Sequence, residues 1–425
     1  MTDSTDPEGK SDRLALLYHL AQTFNSSLDL DQVLNLVIDE VIVALRAERG
    51  FVMLREGDGH LSFRVARGID QQSIDDPNFQ VSRSVIENVA SGGEPILAFD
   101  AQTDPRFSMR QSVTILGLRS VLCVPLTIKT AVLGVIYVDN RLQAGNFTQS
   151  DLDLLSAIAS NAAIAIENAR LYQLAVEKGR LESELQMARQ VQVSLLPAQV
   201  PQVDGWEFTA RWLPARQVSG DFYDFLPGPQ EQLGMVIADV SDKGMPAALF
   251  MGLTRTILRA SLDQLAAPAS CIARANRLIH NDSANGMFVT MFYLSVDARS
   301  GDLTYVNAGH NPPLLVRCQE TLSLAQPMLL TRSGMALGVD PDTPYEQKVV
   351  HLEPGDFVVL YTDGVTDAEN PAGKPFGMER LARKVAGLRC ASTAQVVSSL
   401  ERAVAAFSGD STPVDDITLL VVKRL

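Results

Sequence analysis

Basic residues are in short supply. Lys and Arg number 36 against 50 Asp and Glu, which leaves the 425-residue chain with a net charge of −14. Phosphate backbones are held by clustered Lys and Arg, so this balance argues against a nucleic-acid binder and fits an anionic membrane surface poorly. Long apolar runs are also lacking. No stretch reaches the ~18 uninterrupted apolar residues expected of a membrane-spanning helix. The best, "AIASNAAIAIENA", is broken by Ser, Asn and Glu. The opening "MTDSTDPEGKSDR" is polar and acidic without an apolar segment, so no secretory signal is expected there. The 4 cysteines, Cys123, Cys271, Cys318 and Cys390, are scattered with no CxxC pair. That argues against a disulfide framework or a zinc site, and fits reduced thiols of small core residues in a cytoplasmic protein. A GxxxxGK[ST] loop is missing, which disfavours a nucleotide hydrolase. Internal repeats and low-complexity tracts are absent too.

What is present describes a globular chain. Apolar residues make up 46% and charged residues 20%, and the length predicts two or three domains. After a polar tail over residues 1–12, "DRLALLYHLAQTFNSS" and "DLDQVLNLVIDEVIVAL" carry helical spacing, with Asp29 and Asp31 placed to cap the second helix. Short Val- and Ile-rich pieces follow, "RGFVMLRE", "LSFRVARG", "SVLCVPLTI" and "AVLGVIYVDN". They predict an antiparallel sheet with helices on a face.

From Thr148 to about Leu195 the pattern is helical. Leu155, Ile158, Ala162, Ala165, Ala169, Tyr172 and Val176 form a heptad seam, which slips near Gly179 and resumes with Leu181, Leu185, Ala188, Gln192 and Leu195. Up to about Ala169 the seam also suits packing on its own domain. Beyond it the flanks are Glu, Lys, Arg and Gln, and a two-chain coiled coil is expected. Pro197 and Pro201 end the helix. The remaining sequence reads as strands ("WEFTARWLPA", "EQLGMVIADV", "GMFVTMFYLSVD", "GDLTYVNAG", "GDFVVLYTDG", "DDITLLVVKRL") and helices ("PAALFMGLTRTILRASL", "SCIARANRLIHN", "TAQVVSSLERAVAAF"), with hairpins at "LPGPQEQ" and "ARSGD". A sandwich of antiparallel sheets flanked by helices is predicted.

Four aspartates stand where apolar strands begin or end: Asp221, Asp239, Asp363 and Asp415. Singly, each reads as a turn or solvated residue. Gathered at one sheet edge, four carboxylates repel one another unless a cation neutralises them. The set holds no Cys or His, and oxygen-only ligands favour Mg²⁺ or Mn²⁺ over Zn²⁺. Two such ions clamp a phosphoryl group for in-line attack by an activated water.

The motifs "ARQVQVSLLPAQVP", "VSGDFYDF", "IADVSDKGMPAALFM", "NAGHNPPLLV", "LEPGDFVVLYTDGVTDAENPAGKPFG" and "DDITLLVV" resemble, in order and spacing, the SpoIIE/RsbU-type serine/threonine phosphatases of the metal-dependent PPM superfamily. The resemblance covers roughly residues 185–425. It implies an αββα sandwich with two Mn²⁺ or Mg²⁺ ions. It implies that Asp239 bridges them, that the Val240 carbonyl is a ligand, that Asp363 and Asp415 bind the more buried ion, and that Asp221 acts through water. Asp416, where relatives often have Asn, ranks behind Asp415. Residues 13–171 are similar to GAF domains through "DPRF", "SVLCVPL", "AVLGVIYVDN" and "NAAIAIENARLY". A cyclic-nucleotide pattern is only partial: Asn140, Phe147 and Asp151 are present, but Leu152 replaces the following Glu. Cys123 lies in a strand-like run, which leaves bilin attachment unsupported.

The reading that results is an α+β protein of two domains: a GAF domain over residues 13–171, a helical coiled-coil linker over 172–200 and a phosphatase domain over 201–425. It is expected to be a cytoplasmic homodimer in which an unidentified signal at the GAF domain controls hydrolysis of phosphoserine or phosphothreonine. The resemblance points to a phosphorylated STAS-type anti-anti-sigma regulator as substrate. The rival reading is a pseudophosphatase that serves as a partner-binding scaffold. His310, followed by Asn-Pro-Pro, reads as fixing a loop more than as a general acid. Lys243 fits a solvated turn and a phosphate contact about equally. Asp242 stands where relatives commonly have Gly. Two readings stay open for it: a charge that draws divalent cations, including a third, weakly held ion, or a solvated turn residue.

Overall fold

The structure is a computed structural model. It describes Ala15 and residues 18–24, 26–68, 70, 72–74, 81–101, 119–141, 146–228, 232–262, 267–283, 286–318, 327–409 and 413–425. The expected tail at 1–12 and the "DPRF" motif lie outside the described residues. The chain divides into two compact units, Met1–Arg180 and Leu181–Leu425.

In the first unit α1 (Leu30–Leu45) leads into β1 (Arg49–Arg55), β2 (Leu61–Gly68), α2 (Arg83–Gly92), β3 (Ile96–Ala98), β4 (Ser120–Ile128), β5 (Ala131–Asn140) and the start of α3 (Gln149–Leu195). Asp29 caps α1, accepting a hydrogen bond from the Gln32 amide at 2.9 Å, and Asp31 lies in the first turn, where a negative charge meets the positive end of the helix. The strands form one antiparallel sheet in the order β2-β1-β5-β4-β3. Side-chain alternation gives it two buried faces. Val52, Leu122 and Ile136 face α1 and the first turns of α3, including Leu155, Ile158 and Ala162. Phe51, Cys123 and Tyr137 face α2.

Within this unit the partial cyclic-nucleotide pattern is used structurally. Asn140 Oδ1 accepts from the Glu48 amide at 2.6 Å, Phe147 is buried in the core, and Asp151 accepts from the Thr148 amide at 2.8 Å as the start of α3.

Helix α3 is continuous over 47 residues, through Gly179. Tyr172, Val176 and Leu181 are exposed, along with the rest of the helix surface over residues 170–184. The end of the seam differs from expectation. Gln192 is buried, Leu195 lies against Gly252, and Leu196 joins the core of the second unit. The seam from Gln192 onward is therefore consumed by its own unit, and the coiled-coil expectation contracts to the preceding stretch.

The second unit contains β6 (Trp206–Leu213), β7 (Phe222–Pro227), β8 (Gln232–Val240), α4 (Met245–Ser261), α5 (Pro268–Asp282), β9 (Val289–Asp297), β10 (Asp302–Ala308), β11 (Leu314–Val316), β12 (Met328–Leu329), β13 (Lys348–His351), β14 (Phe357–Tyr361), α6 (Gly377–Ala386), α7 (Thr393–Ser408) and β15 (Ile417–Arg424). Two five-stranded sheets, ordered β13-β10-β9-β8-β7 and β12-β11-β14-β15-β6, lie face to face. Ile237, Phe292 and Leu294 of one meet Val358, Leu360 and Leu420 of the other. The alternate residues turn outward, where α4 and α5 cover the first sheet and α6 and α7 the second. This is the expected αββα sandwich.

The cysteines are free thiols, Cys123 fully buried. Cys318 and Cys390, far apart in sequence, hold their sulfurs 4.0 Å from each other, a proximity that spacing alone did not reveal. Among the described residues no helix is long and apolar enough to cross a membrane.

Candidate metal centre

Two antiparallel strand pairs bring the four aspartates to one edge. Phe222 of β7 lies opposite Ala238 of β8, so Asp221 before β7 and Asp239 near the end of β8 fall together. Tyr361 of β14 lies opposite Leu419 of β15, so Asp363 after β14 and Asp415 before β15 fall together. The two sheets are joined here by side chains. Thr362 and Thr418, from the second sheet, each donate a hydroxyl hydrogen bond of 2.7 Å to Oδ2 of Asp221 on the first.

Close backbone approach decides two positions. A Cβ on Gly364 would lie 1.9 Å from the Asp416 carbonyl oxygen, so only glycine lets the turn after β14 nest against the start of β15. Gly220 sits against the Val240 carbonyl, 3.2 Å from where its own Cβ would be. The loop before Asp221 thus leans on the backbone carbonyl that the family resemblance implies as a ligand.

Asp416 holds that loop. Its Oδ1 accepts from the Ala215 amide at 2.7 Å, and its Oδ2 accepts from Ser219 Oγ at 2.7 Å and the Gly220 amide at 3.1 Å. The neighbouring Asp415 is engaged otherwise: Lys243 Nζ pairs with its Oδ2 at 2.8 Å and also donates to the Val414 carbonyl at 3.0 Å. Lys243 is therefore neither a free turn residue nor a free phosphate contact. From the other side Gln192 of α3 clasps the loop. Its Nε2 donates to the Ser219 carbonyl at 2.8 Å and its Oε1 accepts from the Ser219 amide at 3.1 Å.

Burial and neighbouring like charges both raise these carboxylates. Burial, then the Asp363 carboxylate, pushes Asp239 up to about 7. Burial, then Asp239, holds Asp221 well above the ordinary carboxylate range, against the two threonine hydroxyls that lower it. Asp363 is raised by burial and then by Asp415. Burial is the larger cause of each shift, and the like charges that add to it are ones that a cation would relieve. Among the described residues, though, no three His, Cys, Asp or Glu side chains already converge as a closed cage. The donor chemistry fits a hard divalent ion, and the Asp415–Lys243 pair is one contact that such an ion competes with.

Asp242 adopts φ 83, a left-handed conformation, and its exposed carboxylate turns back to accept from the Lys243 amide at 2.8 Å. This is the geometry of a turn residue. His310 is buried. Its amide donates to Asn307 Oδ1 at 2.8 Å, its Nδ1 is 2.8 Å from Thr290 Oγ1, and burial pushes its pKa down to about 3. A neutral, enclosed imidazole fixes a loop, as the following Asn-Pro-Pro suggested.

Sequence reasoning missed Thr362, Thr418, Ser219 and the loop-binding role of Gln192. A signal existed for two of them: Thr418 is a hydroxyl inside the apolar run of β15, and Gln192 is an amide at a seam position.

Comparison with known proteins gives concordant results. The family description "Stage II sporulation protein E (SpoIIE)" matches residues 229–425, and a GAF domain description matches residues 27–167. The chain is 32% identical over 246 residues to phosphoserine phosphatase RsbU of Bacillus subtilis (strain 168), covering 57% of this chain and 71% of RsbU. It is 32% identical over 277 residues to protein IcfG of Synechocystis sp. (strain ATCC 27184 / PCC 6803 / Kazusa), covering 59% of this chain but 43% of IcfG, so it spans less than half of that relative. The solved SiaA-PP2C domain of Pseudomonas aeruginosa superposes with a TM-score of 0.52 at 20% identity, over 59% of this chain and 99% of that domain. That likeness concerns the fold.

Proposed function

We propose, for a chain that belongs to the SpoIIE/RsbU family of PP2C-type serine/threonine phosphatases, that it removes phosphate from phosphoserine or phosphothreonine on a protein regulator, under control of its GAF domain. The observation that carries this reading is the meeting of Asp221 and Asp239 from one sheet with Asp363 and Asp415 from the other. In this reading Asp239, the Val240 carbonyl, Asp363 and Asp415 hold two Mn²⁺ or Mg²⁺ ions, and Asp221 acts through an intervening water. When bound, such ions supply Lewis-acid polarisation of the phosphoryl group and an acidified water.

The chain's own residues do the positioning. Thr362 and Thr418 fix the Asp221 carboxylate, and Asp416 and Gln192 hold the loop in front of it from two sides. Preorganisation of this kind keeps the cost of ordering the ligands out of the reaction. The proposed substrate is a phosphorylated STAS-type regulator, supported by the likeness to a phosphoserine phosphatase. The proposed assembly is a cytoplasmic homodimer through the exposed part of α3 before Gln192, supported by exposed Tyr172, Leu174, Val176 and Leu181.

Hydrolysis of p-nitrophenyl phosphate and of phosphoserine peptides by the full chain tests the reading. Activity that needs Mn²⁺ or Mg²⁺ and stops in EDTA is expected. Activity undiminished in EDTA overturns the metal mechanism. No activity on either substrate with metal present favours the scaffold reading.

A further inference from the structure

Beside the carboxylate edge lies a cavity of about 360 Å³ between α7 and the β6–β15 side of the second sheet. Its walls are apolar: Leu213, Val365, Leu400, Val404, Ile417 and Leu419. Gly364 and Asp415 line it as well, so one wall is shared with the carboxylate cluster. At the mouth stand Glu369 and Glu401, with Arg211 tied to Glu401 at 2.6 Å. Arg211 is cancelled by Glu401, Asp415 is paired with Lys243, and the exposed Glu369 repels anions. The cavity is thus unsuited to a phosphoryl group and suited to an uncharged apolar one. Its volume falls in the range of specific ligand sites.

We propose that this cavity receives an apolar side chain of the phosphoprotein substrate, one to three residues from the phosphorylated serine or threonine. The inference rests on the phosphatase reading and adds a specificity site to it. Its basis is adjacency. With the phosphoryl group at the carboxylate edge, successive residues of an extended peptide lie about 3.3–3.6 Å further along, so a near neighbour reaches the space behind Asp415. Leu400 and Val404 are presented from the inner face of α7, and Ala405 of the same helix is exposed at the rim. The substrate's apolar residue trades water for this lining, and discrimination against a polar residue follows from burial of its side chain. One large apolar side chain at the right position is expected to lower KM about tenfold relative to Ser.

The experiment uses the full chain with Mn²⁺, p-nitrophenyl phosphate and a set of phosphoserine peptides. Each peptide carries Leu or Ser at one of three positions on either side of the phosphoserine. Ala405→Trp and, separately, Ser408→Trp narrow the cavity from its rim without opening the core. The parent should prefer Leu at one position by about tenfold in KM. Both variants should lose that preference while turning over p-nitrophenyl phosphate within twofold of the parent. A preference that survives both variants overturns the inference, as does a parent with no apolar preference at any position. A parallel fall in p-nitrophenyl phosphate turnover also overturns it, because the cavity would then belong to the catalytic machinery. A parent inactive on every substrate overturns the phosphatase reading itself, and this inference with it.

Discussion

Ser219 donates its hydroxyl to Asp416 at 2.7 Å, although 197 positions of sequence separate the two. The bond couples the loop that presents Asp221 to the residue beside Asp415. Replacing Asp416 with Ala removes the acceptor for Ala215, Ser219 and Gly220 together. A charge-assisted hydrogen bond is worth roughly 1.5–3 kcal/mol, so both stability and catalysis should suffer. Asp416→Ala should lower kcat at least tenfold and raise the Mn²⁺ needed for half-maximal rate. Asp416→Asn, which keeps one acceptor oxygen, should fall between that variant and the parent. Metal titrations of the three proteins check this, and coincident curves would mean that the loop holds itself.

Substitution of the clustered aspartates should separate activity from stability. Asp239→Ala or Asp363→Ala should reduce turnover more than a hundredfold with an unchanged circular dichroism spectrum. The metal-free Asp239→Asn protein should melt above the metal-free parent, because a carboxylate disfavoured first by burial and then by its like-charged neighbours has been neutralised. A lower melting temperature for Asp239→Asn would count against burial and repulsion as net costs of the Asp239 charge at this edge.

His310 should make the phosphatase unit sensitive to acid. Its folded pKa lies near 3, below the ordinary value of 6.5, because burial disfavours the imidazolium. The unfolded chain therefore binds a proton that the folded chain refuses once the pH drops below 6.5. The stability that this neutral histidine protects is complete above that value. It is lost as pH falls toward 3, at up to ~1.4 kcal/mol per pH unit. Melting temperatures measured from pH 7 to 5 should fall more steeply for the parent than for His310→Gln.

Asp242 carries a left-handed backbone conformation that glycine adopts at lower cost. Asp242→Gly should stabilise the protein by about 0.5–1 kcal/mol, and Asp242→Val should destabilise it. With the carboxylate bonded to the next amide, the Mn²⁺ titration of Asp242→Gly should superimpose on that of the parent. A higher Mn²⁺ requirement would restore the reading in which this charge draws cations.

Much of this was legible in the sequence because the signals are local. Asp29 caps α1 as its position before an apolar-periodic run predicts, and Asp239, Asp363 and Asp415 are marked by the strands they adjoin. Illegible features were short or long-range. β11 and β12 have three and two residues, too few for a period to register. The ten-residue helix α6, "GMERLARKVA", is not among the helices expected from the sequence. Thr362 and Thr418 acquire their role from Asp221, which is 141 and 197 positions away. Gln192 sits where a heptad wants an apolar residue, and heptad spacing cannot tell a second chain from the helix's own domain as the partner. That ambiguity is why the coiled-coil expectation reached too far.

The sandwich itself has a consequence for the centre at its edge. Half of the carboxylates ride on one sheet and half on the other, so the interior layer between them works as a spacer gauge. A close-packed interior transmits volume changes instead of absorbing them. Trimming Ile237 or Leu420, both in that layer, lets the sheets settle toward each other and changes the gap between the Asp221–Asp239 pair and the Asp363–Asp415 pair. Substitutions far from any ligand should then shift metal affinity in proportion to the volume removed. In the proposed metal-dependent reading, the hydrophobic interior of this domain is a calibrated part of the inorganic chemistry.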